Sequence, residues 1–145
     1  MILIVQSLWN EAITEKLVDG AKSFLKSKDL SCEVIQVPGA LEMATAIQWY
    51  ANKKTPAKIS GVIACGTVIK GDTYHFEVVA NESARALTEL SLRYDFPITN
   101  AILTVYQIEQ AVERTNQEGK FGNKGFQSAE ALVDMLQLKE RISKS

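Results

Sequence analysis

The sequence predicts an α/β protein: a three-layer α/β/α sandwich with a four-stranded parallel sheet, built as a single domain over residues 1–145. Three observations lead there. Four short apolar runs alternate with longer segments whose apolar residues recur at helical spacing. Strands that alternate with helices form βαβ units, and their crossovers place helices on both faces of a parallel sheet. No long linker or low-complexity tract divides the 145 residues, a length suited to one core.

The elements follow in order. Residues 2–5 are continuously apolar, as in a strand covered on both faces. Asn10 is expected to cap the helix over residues 11–28, where Ile13, Leu17, Ala21, Phe24 and Leu25 share one side. Residues 33–37 form the second strand, and Pro38-Gly39 turns the chain after it. Leu41, Ala44, Ile47 and Ala51 mark a second helix, followed by a polar break over residues 52–56. A third strand is expected over residues 59–65, a loop with two glycines over 66–74, and a helix over 75–91. Residues 98–105 form the fourth strand and 108–114 a short helix. A polar stretch with three glycines over residues 116–125 precedes the last helix, over 126–142.

Composition excludes several function classes. Lys plus Arg is 16 and Asp plus Glu is 17, so the net charge of -1 gives no basic surplus for nucleic acid or an anionic membrane. No apolar run approaches the roughly 18 residues of a membrane span. The apolar start is too short for a signal-peptide core and has no basic residue ahead of it, so a cytoplasmic protein is expected. Two cysteines make no disulfide framework, and the only histidine, His75, leaves no set for a multi-histidine zinc site; no metal is expected.

Ligands of open α/β sheets bind beyond the carboxyl ends of the strands, which here are residues 6–10, 38–42, 66–74 and 105–107. Gly66-Thr67-Val68-Ile69-Lys70-Gly71-Asp72-Thr73 spaces superficially like a phosphate-binding P-loop, but Asp72 stands where the lysine is needed. Gly71, Asp72 and Thr73 nevertheless open a helix, whose free N–H groups and dipole attract an anion; the plainer alternative is an N-cap made by Asp72 or Thr73. His75 lies in the first turn, where the helix dipole favours the neutral imidazole that accepts a proton. Its plainer alternative is a surface residue. Arg114 and Lys124 flank the glycine-rich break and suit an oxyanion, unless they are merely solvated helix-end charges. Trp9 is placed to stack on a planar ring or to plug the core. Cys65 reads as a small buried residue. Lys53-Lys54 reads as a solvated helix end. Asn81-Glu82-Ser83 falls inside a helix and is discounted as a glycosylation site.

Three ordered segments carry a resemblance. Val37-Pro38-Gly39-Ala40-Leu41-Glu42 is similar to the Val-Pro-Gly-Ala-aromatic-Glu segment of lumazine synthases. Residues Gly66 to Phe76, with Asn81-Glu82 after them, resemble that family's Gly-x-Val-Ile-basic-Gly-x-Thr-x-His-aromatic block. Leu103-Thr104, the stretch 108–114 and Gly122-Asn123-Lys124-Gly125 resemble its third block. Together they span nearly the whole chain.

The resemblance implies a flavodoxin-like fold and a condensation in riboflavin biosynthesis that needs no cofactor. In it, 5-amino-6-(D-ribitylamino)uracil and 3,4-dihydroxy-2-butanone 4-phosphate give 6,7-dimethyl-8-ribityllumazine, phosphate and water. By the same resemblance Trp9 stacks on the pyrimidine, with Asn10 beside it. Ala40, Leu41 and Glu42 meet the ribityl chain, and Thr67, Val68 and Ile69 hold the pyrimidine edge. Lys124 holds the uracil or a nearby anion. Gly71, Asp72, Thr73 and Arg114 bind phosphate, and His75 transfers protons. The family forms pentamers with active sites between subunits, and riboflavin synthase is the pathway neighbour.

Departures from the family pattern are Asn100, where a cavity-wall Phe is common, and Leu41, where an aromatic is usual. The chain also starts almost at its first strand, and its connection from Arg114 to Lys124 is longer than the compact connector of shell-forming members. The last two lead to the expectation of a pentamer or decamer rather than a 60-mer shell. Asn100 and Leu41 keep open a catalytically weak flavin- or lumazine-binding paralogue. A nucleotide-binding module and a purely structural shell protein explain less of the three segments.

Overall fold

The computed structural model describes residues 1–54 and 58–145. Its elements are β1 (Ile2–Ser7), α1 (Glu11–Ser27), β2 (Cys32–Val37), a 3₁₀ turn (Ala40–Glu42), α2 (Met43–Ala51), β3 (Gly61–Ile69), α3 (His75–Tyr94), β4 (Ile98–Val105), α4 (Ile108–Glu113) and α5 (Lys124–Ser143). The four strands form one parallel sheet in the order β2-β1-β3-β4.

Alternate strand residues point to opposite faces and divide the core in two. On one face Ile4, Ile63, Cys65 and Leu103 pack under α1 and α5, through Leu17, Leu25 and Leu132. On the other, Leu3, Val5, Val62 and Ile102 pack under α2 and α3, through Met43, Ile47, Leu87 and Leu90. The expected three-layer architecture is therefore present. No described helix is long and apolar enough to cross a membrane.

Several expected boundaries move. β3 does not stop at Cys65; it continues through Gly66 to Ile69, pairing with β4 up to Val105. Gly66 is thus a strand glycine. A Cβ there would stand 3.0 Å from Ser7 Oγ and 3.1 Å from Met43 Cε, so the residue is small because α2 and β1 press against it. Asn10 precedes α1, but its side chain caps nothing. Its backbone is left-handed (φ 60°), which asparagine tolerates, and its carbonyl accepts the N–H groups of Ile13 and Thr14. α1 ends in a Schellman arrangement: Leu30 N–H bonds to Leu25 O and Asp29, at φ 55°, to Lys26 O. α3 runs to Tyr94 rather than 91, and α5 starts at Lys124 rather than 126. Of the expected polar break, Asn52 closes α2, whereas Thr55 and Pro56 lie outside the described residues.

The strand order positions the site. β1 and β3 lie side by side, yet the chain leaves β1 through α1 toward β2 and leaves β3 through α3 toward β4. The departing loops diverge and open a crevice above the carboxyl ends of the two central strands.

Candidate functional site

That crevice is a cleft of about 330 Å³, lined by Trp9, Asn10, Gly39, Ala40, Leu41, Glu42, Thr67, Val68, Ile69, His75 and Val79. Three strand ends, one 3₁₀ turn and one helix start meet there. Leu8 N–H bonds to Val37 O at 2.9 Å and Trp9 N–H to Pro38 O at 3.2 Å, so the β1–β2 pairing carries on into the loop and fixes Trp9. The indole lies against Gly39, where a Cβ would come within 3.2 Å of Trp9 Cδ1. Trp9 is 72% exposed, which rules out the plug over the core and leaves a ring face open to a ligand.

At the floor, Thr67 is buried, and its hydroxyl has no hydrogen-bond partner among the described residues. Such a group usually has one, and a ligand in this cleft is one way to supply it. Below lies a connected polar set: Gln36 donates to Gln6 Oε1, Gln6 Nε2 to Thr14 Oγ1, and Thr14 Oγ1 to Ser7 O at 2.7 Å. It ties the end of β1 to the first turn of α1 and stiffens the segment that carries Trp9 and Asn10.

The start of α3 is not the N-cap expected as its plainer alternative. Neither Asp72 nor Thr73 is the N-cap residue. Tyr74 occupies that position with no side-chain cap, and Thr73 Oγ1 accepts only a long 3.4 Å bond from His75 N–H. Gly71, Asp72, Thr73 and His75 are all exposed, and no atom stands within 4 Å of where a Gly71 Cβ would be. The helix start thus presents open backbone beside the imidazole, the arrangement in which first-turn N–H groups attract an anion.

Arg114 and Lys124 do not join this cleft within the chain. They line a second one of about 370 Å³, with Leu103 and Thr104 of β4, Phe121 and Gln127. The Arg114 guanidinium lies 4.2 Å from the Phe121 ring centroid, donates to Gln110 O at 2.9 Å and stands 3.7 Å from Glu113. It is not a freely solvated helix-end charge: the guanidinium is held between a ring face, a carbonyl and a loosely paired carboxylate. Asn100 lines neither cleft. It sits exposed on the outer edge of β4, where its Oδ1 accepts the Ile102 N–H at 2.8 Å. Cys65 is wholly buried, and burial pushes its thiol up to about 12, far from a nucleophile's range.

Sequence reasoning missed two parts. Phe121 lay in a stretch read as polar, though a lone aromatic between cations is a stacking signal. Asn123 received no role because the last helix was expected to begin at residue 126. Shifting that start to Lys124 makes Asn123 a favoured N-cap residue, and its side chain does accept the Phe126 N–H.

Comparison with known proteins gives one consistent result. A family model described as 6,7-dimethyl-8-ribityllumazine synthase matches residues 1–140. A Bartonella tribocorum protein of that name is 45% identical over 141 residues, covering 97% of this chain and 91% of the relative. A Kosmotoga olearia protein of the same name is 42% identical over 144 residues, covering 97% and 89%. A Rhizobium meliloti protein named 6,7-dimethyl-8-ribityllumazine synthase 1 is 39% identical over 143 residues, covering 97% and 92%.

Proposed function

Because the chain belongs to the 6,7-dimethyl-8-ribityllumazine synthase family, we propose that it condenses 5-amino-6-(D-ribitylamino)uracil with 3,4-dihydroxy-2-butanone 4-phosphate, giving 6,7-dimethyl-8-ribityllumazine, phosphate and water. One observation supports this reading most. Trp9, the 3₁₀ turn Ala40–Glu42, the end of β3 and His75 come from four distant segments and meet in a single cleft.

The pyrimidine stacks on Trp9 beside Asn10, with Thr67, Val68 and Ile69 along its edge. The ribityl chain runs over Ala40, Leu41 and Glu42. The phosphate sits at the start of α3, against Gly71, Asp72 and Thr73. The amine nitrogen attacks the ketone carbon, and loss of water leaves an imine. A proton then leaves C3 as phosphate departs from C4 with the C–O bonding pair, and the enol so formed takes a proton at C4, which makes C3 the second carbonyl. The ribitylamino nitrogen attacks the second carbonyl, and loss of water closes the ring. His75 accepts and returns protons at the attacking nitrogen and the departing oxygens. Imine formation proceeds slowly unaided, so holding both partners in near-attack geometry supplies much of the rate.

A phosphate needs a cation, and Arg114 lies in the other cleft of its own chain. Arg114 and Lys124 of a neighbouring subunit therefore complete each site, Lys124 near the uracil and Arg114 on the phosphate, and Asn100 on the β4 edge faces the shared cavity. The assembly is a homo-oligomer, a pentamer or decamer, working in the cytoplasm and handing its product to riboflavin synthase. Light scattering that finds a particle near the mass of a 60-mer shell overturns the assembly reading.

The test is a turnover assay with both substrates, following lumazine absorbance against an Arg114→Ala variant and the protein-free reaction. Multiple turnover that is lost in Arg114→Ala supports the reading. A background rate from folded oligomer overturns it in favour of a flavin-binding paralogue.

A further inference from the structure

The Arg114 cleft is held together by a side chain outside it. We infer that Asn123 is a positioning residue that fixes Arg114 for phosphate recognition; the inference rests on the phosphate role proposed above for Arg114.

Asn123 is 4% exposed and uses three bonding positions at once. Its Oδ1 accepts the Phe126 N–H at 3.0 Å and caps α5. Its Nδ2 donates to Thr115 O at 2.8 Å and to Lys16 O, on α1, at 3.0 Å. Serine, threonine or aspartate satisfies the cap alone; only a primary amide of this length brings an acceptor and two donors together. The packing around it is cut to fit. A Cβ on Gly20 would stand 2.2 Å from Asn123 Oδ1, so the gap left by that glycine is what admits the amide to the α1 backbone. Next to it, a Cβ on Gly125 would lie 1.8 Å from Leu17 O, so α5 begins in direct backbone contact with α1.

The consequence falls on Arg114. Thr115 and Asn123 form a bridge, and Lys124 N–H bonds to Arg114 O at 2.8 Å. The loop between them is thus closed at its neck, and Asn123 anchors that neck to α1. With the neck closed, Phe121 returns under the guanidinium while Gln127 Nε2 holds Phe121 O at 2.8 Å. Without the anchor the loop regains its freedom, and the guanidinium loses its fixed direction.

The experiment measures KM for the phosphate-bearing substrate in a cycle: the natural protein, Asn123→Ser, Arg114→Ala and the double variant. Serine keeps the cap and removes both donations. If Asn123 acts through Arg114, Asn123→Ser raises this KM about tenfold when Arg114 is present and less than about twofold when it is absent. The same factor in both backgrounds means a merely structural role and overturns the inference, as does no change in either. A KM unmoved by Arg114→Ala alone overturns the phosphate reading itself, and the inference with it. Gly20→Ala is the second variant. It leaves Asn123 in place, pushes its amide off α1, and adds a better helix former to α1. It must reproduce the Asn123→Ser pattern; a folded Gly20→Ala oligomer with unchanged KM overturns the inference even if Asn123→Ser does not fold.

Discussion

The two clefts lie at the same end of the sheet but are built differently. The one around Trp9 and His75 stands on three strand ends and a helix start, held by the parallel ladders of β1 with β2 and β3. The one around Arg114 stands on an edge strand and a long loop, and depends on one buried amide and one aromatic ring. A parallel ladder buried on both faces is among the stiffest parts of a fold, whereas a loop neck gives way when a single bond is lost. In the function proposed above, the stacking and ribityl contacts thus fall on the rigid frame and the Arg114 charge on the adjustable loop. Substitutions in the first cleft should act locally; substitutions around the second should spread.

Arg114→Ala tests that contrast hardest. Losing a charge-assisted contact to phosphate costs about 2–3 kcal/mol, so kcat/KM should fall about a hundredfold in the turnover assay. His75→Ala should act less, slowing turnover about tenfold without abolishing it, because positioning survives the loss of proton transfer. Single-turnover kinetics separate the two. Complete loss of activity in a folded His75→Ala oligomer breaks the positioning account. Trp9→Ala should raise KM for the ribitylaminouracil about tenfold through lost stacking. Its thermal midpoint should move little, since the ring is mostly exposed; a large drop means the indole plugs the core after all. The smallest effect is at Cys65. With its thiol pushed to about 12 by burial, it should stay unalkylated near pH 8 in the native protein and react only on unfolding. Ready modification under native conditions indicates that the frame beneath the first cleft opens.

Much of this was legible in the chain, and the misreadings are instructive. The central strands β1 and β3 were visible as apolar runs because they are buried almost throughout, whereas the edge strands β2 and β4 mix apolar residues with exposed polar ones. The end of β3 was not, because Gly66 looks like punctuation until Met43 and Ser7 are seen packed against it. Asn10 has the residue type of a cap, but with its backbone left-handed its side chain caps nothing. The phosphate candidates read as one group, yet Arg114 lines the second cleft, while Gly71, Asp72 and Thr73 stand exposed at the start of α3 and line neither cleft. Spacing along a chain says nothing about which side of a sheet edge a loop falls on.

The elements, their layering and the family can be read from the chain alone. Periods of 2 and 3.6 are local properties, set by which residues must leave water, and each of the three motif blocks is a pattern of residues near one another in the chain. Which side chains share a cleft emerges only once the chain has folded. The order β2-β1-β3-β4 opens the crevice between two strands that are far apart in the chain, and Asn123 reaches an α1 carbonyl that no local pattern links to it. Such contacts form because buried amides and backbone groups must find partners across the fold, a requirement the folded core imposes on residues distant in sequence.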